Sequence, residues 1–167
     1  TIVQPNIHLS DKHGRSPIKN LEEIIKTTNK FISDSTDLLI WPETAVNTFV
    51  HKESKTEKII KRFLNDKSFQ LLTGFPELKK SDKGNYYFNS IGLFGKNGLI
   101  KSYQKIHLVP IAEHIPFSNI FPSLKKMNLG QANWEIGKNY TIFEKDEILY
   151  CGVICYESTY PSLVRNF

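Results

Sequence analysis

A cysteine near the end of the chain, Cys155, has the setting of a catalytic nucleophile. Its one cysteine neighbour, Cys151, lies four residues earlier. Both are predicted on a strand, where such positions lie about 13 Å apart, whereas a disulfide needs Cα atoms within about 7 Å. Two cysteines without a matching histidine pair also make a poor zinc site. We therefore treat Cys155 as a free thiol with a chemical role and leave Cys151 in the core.

Two charged residues could activate this thiol, because Glu43 and Lys105 also stand where predicted strands end. Sites in layered α/β folds gather at such ends. An ordinary cysteine has a pKa of about 8.5, and the thiolate is the nucleophile, so the thiol needs help to react. A carboxylate can accept its proton, and an ammonium can stabilise the thiolate and the oxyanion of a tetrahedral intermediate. Glu43, Lys105 and Cys155 are therefore sufficient for acyl transfer without histidine.

Each of the three residues also has an ordinary structural interpretation. Glu43 could be a charge in the first turn after a strand, Lys105 a solvated loop lysine, and Cys155 a small buried apolar side chain. If so, the chain is a basic α/β binding domain, and the three side chains are scattered in space. His107 and His114 fit no zinc spacing, and we expect them to form hydrogen bonds within their loop. The sequence predicts neither a metal site nor a cofactor.

A layered α/β fold is expected to position these side chains. The apolar run at 38–41 predicts a strand covered on both faces, which Pro42 ends. Further strands are predicted at 2–4, 69–73, 86–94, 99–103, 140–143 and 148–154. The strands at 86–94 and 99–103 form a hairpin that turns at 96–98. The stretch at 106–139 is a long loop, and such loops in compact domains are usually functional or poorly ordered.

Two helices alternate with the first strands, and this order favours helices packed on a sheet. The first has Ser16 as its cap and Pro17 at its first position. Its apolar face consists of Leu21, Ile24, Ile25, Thr28, Phe31 and Ile32. The second begins near Ser54, which forms a capping-box pattern with Glu57. Its buried face consists of Ile59, Ile60, Phe63 and Leu64.

Composition sets the class of molecule. The chain has 167 residues, of which 40% are hydrophobic, and a formal net charge of +5. This length suits one domain with its own core. The lysines are scattered, which favours a solvated surface first and mild attraction to an anionic membrane second. Binding to nucleic acid is disfavoured, because the sequence has no arginine-rich stripe. No apolar run reaches the roughly 18–20 residues of a membrane span. The chain opens in a strand pattern and closes in the start of a helix, so we expect an excerpt of a longer protein.

Three separated motifs resemble the nitrilase (carbon–nitrogen hydrolase) superfamily and, more closely, the catalytic domain of bacterial apolipoprotein N-acyltransferases. The motifs are Trp41-Pro42-Glu43, the Leu108-Val109-Pro110 run with Glu113 and Pro116 behind Lys105, and Cys155-Tyr156-Glu157. Gln4-Pro5-Asn6 also fits. Ala112 departs from the glycine expected before the glutamate. The resemblance spans residues 1–167 in the family's order, although the family's domain continues past the cysteine and has transmembrane helices on both sides.

The resemblance implies a four-layer αββα sandwich, here incomplete at its C-terminal end, and a Glu-Lys-Cys triad. Glu43 would be the general base, Lys105 the oxyanion stabiliser and Cys155 the nucleophile, with Glu113 as a second catalytic glutamate. Tyr156 and Glu157 match residues beside the nucleophile that we expect to help bind substrate. Apolar residues of the long loop would form a lipid-facing lid: Ile111, Ile115, Phe117, Ile120, Phe121 and Leu124.

The reaction implied is transfer of a phospholipid's sn-1 acyl chain, through a thioester on the cysteine, to the α-amine of a diacylglyceryl-cysteine lipoprotein. The partners are then a phospholipid donor and a lipoprotein acceptor. The location is the bacterial cytoplasmic membrane, with the catalytic domain facing the periplasm. A soluble nitrilase-type amidase that hydrolyses a small amide fits the same triad. Flanking transmembrane helices would discriminate between the two.

Overall fold

The computed structural model describes residues 1–6, 16–51, 54–82, 84–114 and 134–167. Within these ranges the helices are α1 (Pro17–Thr28), α2 (Lys55–Leu64) and α3 (Pro161–Arg165), with a 3-10 helix at Cys155–Thr159. The strands are β1 (Leu38–Ile40), β2 (Gln70–Ser81), β3 (Gly84–Gly95), β4 (Gly98–Gln104), β5 (Phe143–Lys145) and β6 (Ile148–Tyr150). Among the described helices none is long and apolar enough to cross a bilayer.

The main sheet has the strand order β1-β2-β3-β4. Strand β1 pairs with β2 in parallel, whereas β2, β3 and β4 form an antiparallel meander. The prediction of 69–73 captured only the start of β2, which continues to Ser81 along β3. That second half is polar, with Glu77 and two lysines, so its strand character comes from pairing with β3 and not from an apolar pattern.

The sheet separates two apolar clusters. Leu39 of β1 packs in the cluster on the helix side, which contains Leu21 of α1 and Ile60 of α2. Leu38 and Ile40 pack against the second cluster, on the side of β5 and β6. The members of that second cluster are Leu72, Leu93, Tyr103, Phe143 and Ile154. The prediction that β1 is covered on both faces is confirmed.

Local signals placed the helices correctly in most respects. Pro17 begins α1, and the Ser54 Oγ accepts a hydrogen bond from the backbone N–H of Glu57 at 3.1 Å. Ser16 occupies the predicted N-cap position, which is confirmed, although its side chain forms no capping hydrogen bond. The prediction that Phe31 lies on the apolar face of α1 was wrong. Helix α1 ends at Thr28, which leaves Phe31 66% exposed in the following turn.

The strand predicted at 148–154 is shorter than expected. Strand β6 ends at Tyr150, and the chain continues without ladder pairing to the 3-10 helix that begins at Cys155. Cys151 consequently lies outside the strand and is exposed, which corrects its assignment to the core. Strand β5 begins at Phe143 instead of residue 140. The predicted strand at 2–4 is reduced to one parallel bridge, between Ile2 and Ile40.

Candidate active site

Glu43 lies just past the end of β1, and its backbone packs against the neighbouring strand β2. The Trp41 indole donates to the Thr28 Oγ1 at 2.9 Å, which anchors the residue before the Pro42 stop. The backbone of Glu43 lies so close to β2 that a Cβ on Gly74 would be 2.8 Å from the Glu43 Cα. The Glu43 side chain itself is exposed to the cavity side. Glycine at position 74 therefore sets how closely Glu43 approaches the sheet.

Lys105 is the first residue after β4, and it is 1% exposed. Its ammonium lies 2.9 Å and 2.8 Å from the two carboxylate oxygens of Glu113. Glu113 is also buried, and its Oε2 accepts a hydrogen bond from the Val109 N–H at 2.9 Å. Buried ion pairs of this kind persist only when both charges are compensated. The alternative of a solvated loop lysine is therefore wrong for Lys105.

Asn89 connects this ion pair to Glu43, and sequence reasoning did not assign it a role. Its Nδ2 donates to the Glu43 Oε1 at 3.1 Å and lies 3.4 Å from the Glu113 Oε1. The backbone carbonyl oxygen of Asn89 accepts a hydrogen bond from the backbone N–H of Lys105 at 2.9 Å. A signal was available, because an asparagine within the largely apolar strand β3 must find buried partners. Glu43, Asn89, Glu113 and Lys105 thus form one continuous polar network.

Cys155 begins the 3-10 helix in a left-handed backbone conformation, with φ of +49°. Such a conformation is uncommon for residues other than glycine, and strained backbone of this kind clusters at functional sites. Cys155 is exposed and lines a cavity of about 230 Å³ that Glu43 also lines. The other walls are mainly apolar and come from Ile40, Trp41, Leu72, Thr73, Gly74, Ser90, Ile91, Gly152, Val153 and Ile154.

Glu157 ties the turn after Cys155 to the segment after Lys105. Its carboxylate is fully buried, and Oε1 accepts hydrogen bonds from the Tyr103 hydroxyl at 2.7 Å and the Ile106 N–H at 2.8 Å. Oε2 accepts the Ile154 N–H at 2.8 Å. Burial, followed by the hydrogen bond and charge of Glu157, raises the pKa of Tyr103. The turn at Cys155 and the segment after Lys105 are therefore held by the same carboxylate.

A group of aromatic side chains lies close to Cys155 in the chain. Tyr156 packs edge-on against Tyr160 with ring centroids 5.1 Å apart, and the hydrogen bond with Tyr156 raises the pKa of Tyr160. The His107 ring stacks on Tyr160 at 4.5 Å. His114 Nδ1 lies 3.4 Å from the Trp134 carbonyl oxygen, which confirms the expected loop hydrogen bond for that histidine. In the described ranges no three metal-ligating side chains converge.

The long loop predicted at 106–139 is described at 106–114 and 134–139. Ile111 is 57% exposed. The remaining apolar residues assigned to a lipid-facing lid, from Ile115 to Leu124, lie outside the described residues.

Among the predicted site residues, Glu43 and Cys155 therefore share a cavity, whereas Lys105 and Glu113 are not among its lining residues and reach Glu43 through Asn89. Scattered side chains, as expected of a non-catalytic binding domain, are disfavoured by the cavity that Glu43 and Cys155 share and by the side-chain contacts that link Lys105 to Glu43. The arrangement offers a carboxylate and a thiol that line one cavity, and an ammonium that is connected to the carboxylate through Glu113 and Asn89. It suits attack of a thiolate on an acyl carbon.

Known proteins resemble this chain over nearly its whole length. A family model of carbon-nitrogen hydrolases matches residues 1–166. The apolipoprotein N-acyltransferase of Rickettsia prowazekii is 32% identical, over 99% of this chain and 33% of that protein. The enzymes of the same name from Bdellovibrio bacteriovorus and Chlorobaculum tepidum are 31% and 27% identical, again over 99% of this chain and over 34% and 36% of their own lengths. The chain spans about a third of the length of these relatives.

Solved structures share the fold at lower sequence identity. An amidase from Nesterenkonia sp. superposes with a TM-score of 0.59 at 17% identity, over 90% of this chain and 54% of that one. A glutamine-dependent NAD+ synthetase from Acinetobacter baumannii gives a TM-score of 0.59 at 17% identity, over 90% and 27%. These likenesses confirm the predicted nitrilase-like α/β sandwich. Because the family model covers residues 1–166, the chain belongs to the carbon-nitrogen hydrolase family.

Proposed function

We propose that this chain is the catalytic part of an apolipoprotein N-acyltransferase and that Cys155 carries the acyl group. The observation that carries this proposal is the apolar cavity that Cys155 and Glu43 share, with the buried Lys105–Glu113 pair connected to Glu43 through Asn89. An acyl ester presents one polar carbonyl group on an apolar chain. A mostly apolar pocket with a few convergent polar groups suits such a substrate.

In the first step Glu43 takes the proton of the Cys155 thiol, and the thiolate attacks the carbonyl carbon of a phospholipid's sn-1 ester. The carbonyl oxygen becomes an oxyanion, which the positive charge of Lys105 stabilises. The C–O bond then breaks, and the leaving glycerol oxygen takes the proton from Glu43. Lysophospholipid departs, and a thioester remains on Cys155. The step needs no cofactor, because the proton that leaves the thiol ends on the glycerol oxygen and no atom changes its oxidation state.

In the second step the α-amine of a diacylglyceryl-cysteine attacks the thioester carbon. The C–S bond breaks, an amide forms, and the proton lost by the amine returns through Glu43 to the thiolate of Cys155. Transfer to an amine, and not to water, requires that the site disfavours water during the lifetime of the thioester. The apolar walls of the cavity support that requirement.

The supporting residues keep these groups in place. Glu113 neutralises Lys105 in its buried position and shares Asn89 with Glu43, so that it fixes the ammonium relative to the general base. Glu157 bonds to the Ile154 N–H immediately before the nucleophile, and this contact supports a role in orienting the Cys155 turn. Tyr156, half-buried beside Cys155, is the residue we assign to contact with the substrate.

We place this catalytic region in a longer protein of the bacterial cytoplasmic membrane, facing the periplasm, with transmembrane helices outside the chain. Support comes from the coverage, since the chain spans about a third of relatives that carry this enzyme's name. The net charge of +5 suits work beside an anionic lipid surface. Phospholipid and lipoprotein are then the two substrates.

A small-amide hydrolase is the second candidate, and one observation favours it. A mutant of the Nesterenkonia amidase, which shares this fold with a TM-score of 0.61, is described as showing covalent addition of an acetamide moiety at its active site cysteine. Attack of the Cys155 thiolate on an amide carbonyl carbon, with loss of ammonia, and then attack of water on the resulting thioester would hydrolyse an amide. The two candidates differ in the acceptor and in the donor, and both can be varied in one assay.

The test is intact-mass analysis of the full-length gene product after incubation with phospholipid vesicles. We expect an added mass of one acyl chain on the wild-type protein, released by hydroxylamine, and no adduct on Cys155→Ala. Cys151→Ala is the matched control, because Cys151 is also exposed but lies outside the cavity lining. It should acylate as the wild type does.

Adding an acceptor completes the test. A diacylglyceryl-cysteine peptide should gain the acyl chain while the enzyme adduct disappears. Absence of the wild-type adduct, or an equal adduct on Cys155→Ala, would refute the acyltransferase. Rapid ammonia release from small amides, without acylation by phospholipid, would establish the amidase instead.

A further inference from the structure

A second buried carboxylate, Glu77, lies on the opposite face of the main sheet from the candidate active site. It is 5% exposed. Its Oε2 accepts hydrogen bonds from the Ser90 Oγ at 2.8 Å and the Gln104 Nε2 at 3.1 Å. Its Oε1 accepts one from the Ser102 Oγ at 3.1 Å and lies 3.8 Å from the ammonium of Lys79. One strand, β2, thus holds side chains of both β3 and β4.

The residues that Glu77 holds are the direct neighbours of two site residues. Ser90 pairs with Gln104 at the site end of the β3–β4 ladder. The next residue of each strand is Asn89 and Lys105, and the Lys105 N–H donates to the Asn89 carbonyl at 2.9 Å. Because successive side chains of a strand point to opposite faces, a hold on one pair fixes the next pair on the other face.

The other end of this ladder is irregular. The register of β3 against β4 shifts between Leu93 and Phe94, close to the hairpin turn. A bulge of this kind inserts a residue on one strand, so the turn alone does not secure the register at the far end. A slip of one residue would turn Lys105 away from the face that contains Asn89. A lock at the site end is therefore needed, and the Glu77 contacts are located there.

We propose that Glu77 is a positioning residue of the active site, which fixes the β3–β4 register and thereby aligns the Asn89 amide with the Lys105 ammonium. It touches no reacting atom and acts through Ser90 and Gln104. Its effect on catalysis rests on the proposed acylation of Cys155, whereas its effect on the register does not. The two parts can be measured separately in the full-length gene product.

The kinetic test compares Glu77→Leu, Glu77→Gln and Leu71→Ala. Leucine has a similar volume but removes the oxygen atoms that accept hydrogen bonds from Ser90 and Gln104. The rate constant for acylation of Cys155, measured at saturating phospholipid and expressed per folded molecule, should therefore fall at least about tenfold. The reason is that a misplacement of about 1 Å can cost on the order of 10²-fold in rate. KM should stay within about twofold. Glutamine retains one acceptor oxygen and can donate to a serine hydroxyl, so it should recover most of the rate.

Leu71→Ala is the control for a general loss of stability. Leu71 lies on the same strand and the same face as Glu77, is fully buried, and is not among the residues that line the cavity. Its rate per folded molecule should match the wild type. Equal rates for Glu77→Leu and Leu71→Ala would overturn the proposal, as would a Glu77→Gln variant as slow as Glu77→Leu.

Hydrogen exchange of the Lys105 amide supplies a readout that needs no activity. Relative to the amides of α2, this amide should exchange at least about tenfold faster in Glu77→Leu than in Leu71→Ala, because its bond to Asn89 is no longer held in register. If the wild type forms no thioester, the proposed function fails, and the exchange result still decides the role of Glu77. Unchanged exchange in Glu77→Leu refutes it.

Discussion

Replacing Gly74 by alanine would test how precisely Glu43 must be placed. A Cβ at this position would lie 2.8 Å from both the Glu43 Cα and the Thr44 nitrogen. Carbon atoms in ordinary contact are about 3.5–4.0 Å apart, so the Glu43 backbone must move by about 1 Å. The atoms that this Cβ would meet belong to the backbone of Glu43 and Thr44, so no change of side-chain rotamer can relieve the clash.

A displacement of about 1 Å at a catalytic group can reduce the rate on the order of 10²-fold. Gly74→Ala should therefore lower the rate of Cys155 acylation by about that factor. Overpacking should cost about 1–3 kcal/mol in the free energy of unfolding. The rate is measured by intact mass against time, and the stability by urea unfolding, with rates expressed per folded molecule.

Gly92→Ala is the matched control. Its Cβ would also be too close to neighbours, at 2.5 Å from Phe75 Cε1, but these are side-chain atoms on the helix side of the sheet. It should lose stability and keep its rate per folded molecule. If Gly74→Ala retains the wild-type rate, or if both variants lose activity equally, then the close approach of Gly74 does not set the position of Glu43.

Three further changes test the buried network. Lys105→Met leaves Glu113 as a buried charge without its partner and should lower the free energy of unfolding, measured in urea, by about 3–5 kcal/mol. Adding Glu113→Gln should recover much of that stability, and no recovery would argue against the ion pair. Asn89→Leu should slow acylation at least about tenfold, since Glu43 and Glu113 lose their shared donor, whereas retention of the rate would separate the network from catalysis. Tyr103→Phe should lose about 1.5–3 kcal/mol at pH 8, the value of a hydrogen bond to a charged group. Because the folded protein raises the pKa of Tyr103 above its ordinary value of 10.0, the stability from this phenol is present below pH 10 and declines above it. The wild type should therefore lose up to about 1.4 kcal/mol per pH unit more than Tyr103→Phe above pH 10, measured by urea unfolding, and parallel pH curves would contradict this reasoning.

Local patterns predicted a large part of the fold because they act over a few residues. The apolar run at 38–41 indicated a strand covered on both faces, and Leu38 and Leu39 do pack in opposite clusters. The Ser54 side chain also caps α2 as expected, by accepting the Glu57 N–H. Errors arose where pairing decided the outcome, as in the polar half of β2 and in the early end of β6 at Tyr150.

The sequence by itself determined which residues have the chemistry for acyl transfer. Glu43, Lys105 and Cys155 stood out by residue type and by motif, and a glutamate followed the lysine at position 113. Only the tertiary structure decided that Asn89 joins Glu43 to Glu113, two partners that lie 46 and 24 residues away in the chain.

The same holds for Glu157 and Glu77. The residue type indicates only a negative charge. In the folded protein each carboxylate is buried and accepts hydrogen bonds from donors far away in sequence, such as Tyr103, which lies 54 residues from Glu157. A buried carboxylate must be paired with donors, and no local pattern records which distant donors the folded sheet will supply. The candidate reacting groups could therefore be proposed from the sequence, whereas the contacts that hold them in register exist only once the strands have paired.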